Sequence, residues 1–157
     1  MRRIKFLVKL VSEGRLESVE PSEKISISYL RKSESNLASA KILLENGHPE
    51  ESVSLAYYSM YNALAALLFR TGIKCENHSA SILLLKEVFR IDNSDISFAK
   101  KERIDKQYYV DFHATEEDVK NLIGKAEEFG GKLFDFISRL NNEDIMKFRQ
   151  RFRKLTE

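Results

Sequence analysis

Seven apolar residues, Val119, Leu122, Ala126, Phe129, Leu133, Phe136 and Leu140, follow one another at steps of three, four, three, four, three and four. That alternation keeps one stripe of a helix facing the same way along its whole length. A stripe so regular is buried only against other helices that run nearly antiparallel or parallel to it. Thr115, with Asp118 three residues on, marks the start of this helix as a capping box that uses the shorter acid. Gly130 and Gly131 lie inside it and weaken it intrinsically, which predicts either a close helix crossing or a kink there.

The partners for that stripe are legible upstream. From Ser22 the pattern turns helical, with Ile27, Leu30, Leu37 and Leu44 on one face and Ala40 and Leu43 beside it. Gly47 is placed to end this helix in the left-handed conformation. Pro49 suits the first turn of the next, where Glu50 and Glu51 favour the positive end of the helix dipole. In "AYYSMYNALAALLFR", Tyr57, Met60, Tyr61, Leu64, Leu67 and Leu68 make a broad apolar face. Ala56, Ala63, Ala65 and Ala66 let neighbours approach, so this helix belongs at the centre, and Gly72 stops it.

A shorter helix over roughly 79–90 rests on Ile82, Leu85, Val88 and Phe89, and "ISFAKKERIDKQYYVDF" reads as another. The last helix carries Ile145, Phe148, Phe152 and Leu155 on one side, with Lys147, Arg149, Arg151, Arg153 and Lys154 clustered around it. The expected fold is all-α: an up-and-down antiparallel bundle of four to five helices with an additional basic C-terminal helix. Its expected organisation is an N-terminal arm over 1–21, closed off by Pro21, the bundle over 22–141 and the basic amphipathic helix over 142–157.

Composition closes several doors. A chain of 157 residues has the length of one domain with its own core. A net charge of +2 does not announce nucleic-acid binding unless the cations gather on one face. The single cysteine forms no internal disulfide and gives no support for a structural zinc site, which points to a reducing, cytoplasmic setting. The opening "MRRIKFLVKL" is interrupted by Lys5 and Lys9 and lacks a small-residue cleavage site, so it does not read as a signal peptide. No apolar stretch reaches membrane-spanning length, so no membrane association is expected. The one Glu-x-x-His match, Glu45 to His48, is broken by Gly47, and no metal or other cofactor is expected.

The chemistry-bearing stretch is "GIKCENHSASI", where Lys74, Cys75, Asn77 and His78 lie between two helices with Arg70 just upstream. Together with "AYYSMYNAL", the segment "GIKCENHS" resembles the HEPN family (higher eukaryote and prokaryote nucleotide-binding domains) in its stand-alone prokaryotic form. The later "RIDKQYYVDFHATEEDVKNLIGKAEEFGGKLF" is similar to that family too, and the resemblance covers about residues 25 to 140. It implies a helical bundle that pairs as a homodimer. Many members are metal-independent endoribonucleases acting as toxins, often encoded beside a minimal nucleotidyltransferase that serves as antitoxin and partner. Others have lost catalysis and bind RNA or nucleotides.

In active members an Arg is followed, after four to six residues, by a His. Here residues 71 to 77, seven in all, separate Arg70 from His78, and three separate Lys74 from it. Arg103 stands further still from His113, and Ser79 and Ala80 follow His78 where some members have a His-x-Tyr arrangement.

What the resemblance implies for these residues is a phosphate-handling cleft. His78 would be the acid or base, since imidazole titrates near neutrality. Arg70 would be its catalytic partner, with Lys74 or Arg103 as further cations for charge on phosphate. A helix N-terminus after His78 would add N–H donors. Asn77 would orient ribose or phosphate, and Tyr108, near Arg103, Asp105 and Tyr109, would line the same cleft. The plainer readings stand beside these. His78 braces the junction, Asn77 is a helix cap, Tyr57 and Tyr61 are core, and the Arg103 segment and the C-terminal cations are solvated helix faces. The expected function is RNA or nucleotide binding near 70–78, with RNA cleavage by a toxin of a toxin–antitoxin pair. The alternative is a non-catalytic helical binding or dimerisation module acting with a nucleotidyltransferase.

Overall fold

The computed structural model describes residues 2–108 and 113–157. The described residues form helices α1 (Arg2–Ser12), α2 (Glu23–Glu45), α3 (Pro49–Arg70), α4 (His78–Glu87), α5 (Ser94–Tyr108), α6 (Glu116–Ser138) and α7 (Asn142–Thr156). Two short strands, β1 (Leu16–Ser18) and β2 (Ile73–Cys75), pair antiparallel with Leu16 opposite Cys75 and Ser18 opposite Ile73. The fold is all-α in substance, as the periodicities require.

Local chemistry sets most helix ends. Ser22 caps α2, Asn77 caps α4 and Thr115 caps α6, each side-chain oxygen accepting from a backbone N–H three residues on. Asn141 and Asp144 close a reciprocal capping box at α7. Pro49 opens α3, and Gly47 takes a positive φ of +80° just past α2. α6 runs unbroken through Gly130 and Gly131, and a Cβ on Gly130 would stand 4.0 Å from Ser33 Oγ, ordinary contact distance.

Helix α3 is the hub. It lies along α2 and meets α4, α5, α6 and β2, which is why its buried residues (Val53, Ala56, Tyr57, Met60 and 63–68 among them) occupy more than one side. The α6 stripe buries Val119, Leu122, Ala126, Phe129 and Leu133 in the same core, while Phe136 and Leu140 pack at its edge. α2 and α3 approach closely enough for two serines to bond each other's backbone. Ser33 Oγ donates to the Ser59 carbonyl at 2.7 Å, and Ser59 Oγ donates to the Ser33 carbonyl at 2.9 Å. Ser52 Oγ donates to the Ala40 carbonyl further along the same seam. These hydroxyls are buried, so each bond offsets a desolvation cost and fixes the register of the two helices.

The N-terminal residues form a helix and a strand. Leu7 and Leu10 of α1 and Leu16 of β1 are in the core. The β1–β2 ladder is extended by Val19 N–H to the Gly72 carbonyl and by Glu76 N–H to the Arg15 carbonyl. The connector between α3 and α4 is thereby held from residue 72 to residue 76.

The basic C-terminal helix is committed in part to the interior. Arg149 Nη1 donates to the carbonyls of Val19, Thr71 and Gly72 at 2.8–3.0 Å, at the C-terminal end of α3. Arg151 Nη1 donates to the Val88 carbonyl at the end of α4. Each guanidinium sits where a helix leaves carbonyls unpaired and its dipole is negative. Lys147, Arg153 and Lys154 remain exposed. No helix among the described residues is long and apolar enough to cross a membrane.

Candidate functional site

Tyr57 and Tyr61 lie one turn apart on α3 and therefore share a face. Asn77 Oδ1 accepts from Ala80 N–H at 2.9 Å, which starts α4 at His78 and aims the imidazole back at that face. The ring stacks on Tyr61 at 3.8 Å between centroids and meets Tyr58 edge-on. The Tyr57 hydroxyl and His78 Nδ1 share a hydrogen bond of 2.8 Å. Tyr57 is fully buried, so its phenol has this imidazole as its hydrogen-bonding partner and is both core and site. Tyr61 Oη lies 3.2 Å from Ser81 Oγ, and Ser81 Oγ in turn donates to the Asn77 carbonyl.

The third wall comes from α5. The Arg103 guanidinium lies 5.0 Å from the Tyr58 ring centre and 5.8 Å from that of Tyr57, within cation–π reach of both. Its Nε is buried and has no hydrogen-bond partner among the described residues. One turn earlier, Lys100 Nζ donates to Ser79 Oγ at 2.6 Å.

This setting fixes the charge state of the imidazole. Burial first, and then the positive charges of Arg103 and Lys100, hold His78 below the usual histidine range. At neutral pH it is the free base. Burial also pushes the Tyr57 phenol up, so it stays protonated and can donate to Nδ1. In that tautomer Nε2 carries the proton; in the other, Nδ1–H donates to Tyr57 and Nε2 carries a lone pair. Among the described residues Nε2 has no hydrogen-bond partner.

The site residues singled out in the sequence are distributed unevenly. His78 and Arg103 meet over the tyrosines. Asn77 stands beside them with its Oδ1 committed to the cap. Arg70 ends α3 nine residues beyond Tyr61, about 13 Å further along the helix axis. Lys74 is exposed on β2, its Nζ 3.8 Å from Glu76 Oε1. Tyr108 ends α5, and its side chain and the whole of Tyr109 lie outside the described residues. Cys75 Sγ donates to the Asn77 carbonyl rather than meeting the imidazole.

Lys100 and Ser81 were not singled out in the sequence. The one signal for Lys100 is its spacing of three from Arg103, which places two cations on one helix face. Among the described residues no three of His, Cys, Asp and Glu converge as metal ligands would. The groups gathered here are imidazole, phenol, guanidinium and ammonium. Together they can hold an anion, and the free-base imidazole can accept a proton.

Comparison with known proteins gives the chain a family. The model of the HEPN domain matches residues 27–152. Over 54 residues the chain is 46% identical to the UPF0332 protein PH1297 of Pyrococcus horikoshii, a match spanning 34% of this chain and 38% of that relative. Over 103 residues it is 29% identical to a Methanocaldococcus jannaschii protein named "Putative toxin MJ0605", covering 61% of this chain and 76% of the relative.

Proposed function

The chain belongs to the HEPN domain family, and from that premise we propose that it binds RNA through the pocket formed by His78, Arg103 and Lys100. The observation that carries this reading is the convergence of Arg103 and Lys100 on a neutral, half-buried imidazole. Arg103 is partly exposed, and a guanidinium presents N–H donors in a geometry that matches phosphate oxygens.

A finer reading is that the bound RNA is cut without a metal. In the tautomer whose Nδ1–H donates to Tyr57, Nε2 would take the 2′-hydroxyl proton as that oxygen bonds to phosphorus. The P–O5′ bond would break with the imidazolium returning the proton to the leaving 5′-oxygen, and Arg103 would stabilise the charge on the phosphate oxygens. Tyr57 would hold the ring in place. Support comes from the open Nε2 and from the Methanocaldococcus relative, whose name carries the word toxin. In this reading the protein acts as a homodimer, as the toxin of a pair whose antitoxin is a minimal nucleotidyltransferase; family membership supports both points. The family's wider spread of roles also supports the non-catalytic alternative, an RNA-binding module working with such a partner.

Fluorescence anisotropy with a single-stranded oligoribonucleotide tests binding. Arg103→Ala, with its fold checked by circular dichroism, should weaken it by about tenfold or more. Equal affinity for both proteins would remove the pocket from RNA recognition. Incubation of RNA in EDTA tests cleavage, where His78→Ala should lower the rate by about 100-fold or more. RNA bound but left intact by the wild type would select the non-catalytic alternative.

A further inference from the structure

Beside the His78 pocket a groove of about 470 Å³ runs between α4 and α5. Its floor is apolar, made by Ile82, Leu83 and Ile104, and its rim carries Lys86, Lys100, Lys101 and, from α1, Arg3. Among the described residues no carboxylate lines it. Lys9, Lys41, Lys74 and Lys120, elsewhere on the surface, each pair with a glutamate. Arg3, Lys86 and Lys101 have no ion pair among the described residues, and Lys100 is held by a hydroxyl rather than an acid. Asp92 acts on Lys86 from outside the lining, where Lys132 shares its charge. Four positive charges around one concavity raise the potential there, and removing a polyanion's counterions is what such a surface does well.

Two further features define the occupant. Lys100 belongs to both sites, since its Nζ bonds Ser79 on the groove wall while its charge lowers the proton affinity of His78. Lys100 therefore links the groove to the His78 site. Its apolar floor adds a requirement that phosphate alone does not meet. A duplex offers phosphates and 2′-hydroxyls across a wide face, whereas an unpaired strand also offers sugars and base faces to apolar contact. Arg3 lies outside residues 27–152, so α1 supplies this part of the rim from outside the segment that the family model matches.

We propose that the α4–α5 groove, completed by Arg3, carries the backbone of a single RNA strand leading away from the His78 pocket. The inference rests on the RNA-binding reading above and extends it to the path of the strand. Arg3, Lys86 and Lys101 bind successive phosphates, and the isoleucine and leucine side chains support the sugars and bases between them.

The test is the salt dependence of binding to a single-stranded oligoribonucleotide, for the full chain and for the triple variant Arg3→Ala, Lys86→Ala, Lys101→Ala. All three side chains are exposed, so the variant should keep the wild-type melting temperature. Loss of three phosphate contacts should flatten the slope of log affinity against log salt by about 2, at about 0.7 per contact on a single strand. Lys154→Ala on exposed α7 should leave the slope unchanged. A wild type that binds no RNA would overturn the pocket reading itself. A wild type that binds, with the triple variant showing the same slope, would leave the pocket standing and overturn the groove. Equal or tighter binding of duplex RNA, or of vesicles rich in anionic lipid, would also overturn it, because neither presents an unstacked strand.

Discussion

His78 is the residue on which the chemistry turns, and its surroundings make a specific titration behaviour. Burial, Arg103 and Lys100 all act in one direction, against the charged ring. Followed by NMR, its titration midpoint should lie below that of an exposed histidine, and Arg103→Gln should raise it. An unchanged midpoint would place the guanidinium elsewhere in solution. The same shift has a consequence for stability. In the unfolded chain the ring returns to its ordinary value near 6.5. As pH falls, the unfolded state therefore takes up the proton first. The histidine's contribution is whole above about 6.5 and is lost as pH drops toward the folded value. Urea midpoints at pH 7.5 and 5.5 should show the wild type losing more than His78→Gln, by a modest margin because the ring is partly solvated.

At the level of elements, α7 is tied to the end of α3 through one guanidinium. Gly72 makes this contact feasible. Its φ of +77° suits glycine, and a Cβ there would run into Arg149 Nη1 and the Val19 carbonyl. One guanidinium thus serves three carbonyls from two segments. Arg149→Ala should cost about 2–3 kcal/mol in urea unfolding, the range for hydrogen bonds to a charged group whose partners are left buried. Arg153→Ala, on the exposed side of the same helix, should change stability by less than about 0.5 kcal/mol. Equal effects would mean that charge count, not geometry, holds α7 in place. The sequence shows only a run of cations here. Nothing in "KFRQRFRK" distinguishes the two arginines that cap other helices from the cations that face water.

Across the whole molecule, one contiguous core joins Leu7 of α1 to Phe152 of α7 through α3 and α6. Such a core should unfold in one step. Leu7→Ala, at a fully buried position, should cost about 2–5 kcal/mol and lower a single transition seen alike by far-ultraviolet circular dichroism and tyrosine fluorescence. Two separated transitions would show α1 docking independently of the bundle. The groove that α1 completes with Arg3 would share that fate, which ties the proposed strand path to the integrity of the whole fold.

Much of this protein was determined by its sequence alone, for a local reason. Helix periodicity, caps such as Ser22, Asn77 and Thr115, and stops such as Gly47 and Gly72 act within a few residues, so α2, α3, α6 and α7 follow from neighbours along the chain. The pairing of residues 15–19 with 72–76 has no such local signature, because backbone hydrogen bonds are indifferent to side-chain identity and join segments far apart in sequence. The same holds for the site. His78 stood out as a residue type, but its meeting with Tyr57, Arg103 and Lys100, and the distance of Arg70 from it, depend on how α3, α4 and α5 pack. That packing is decided by burial summed over the entire core, which no short stretch of sequence contains.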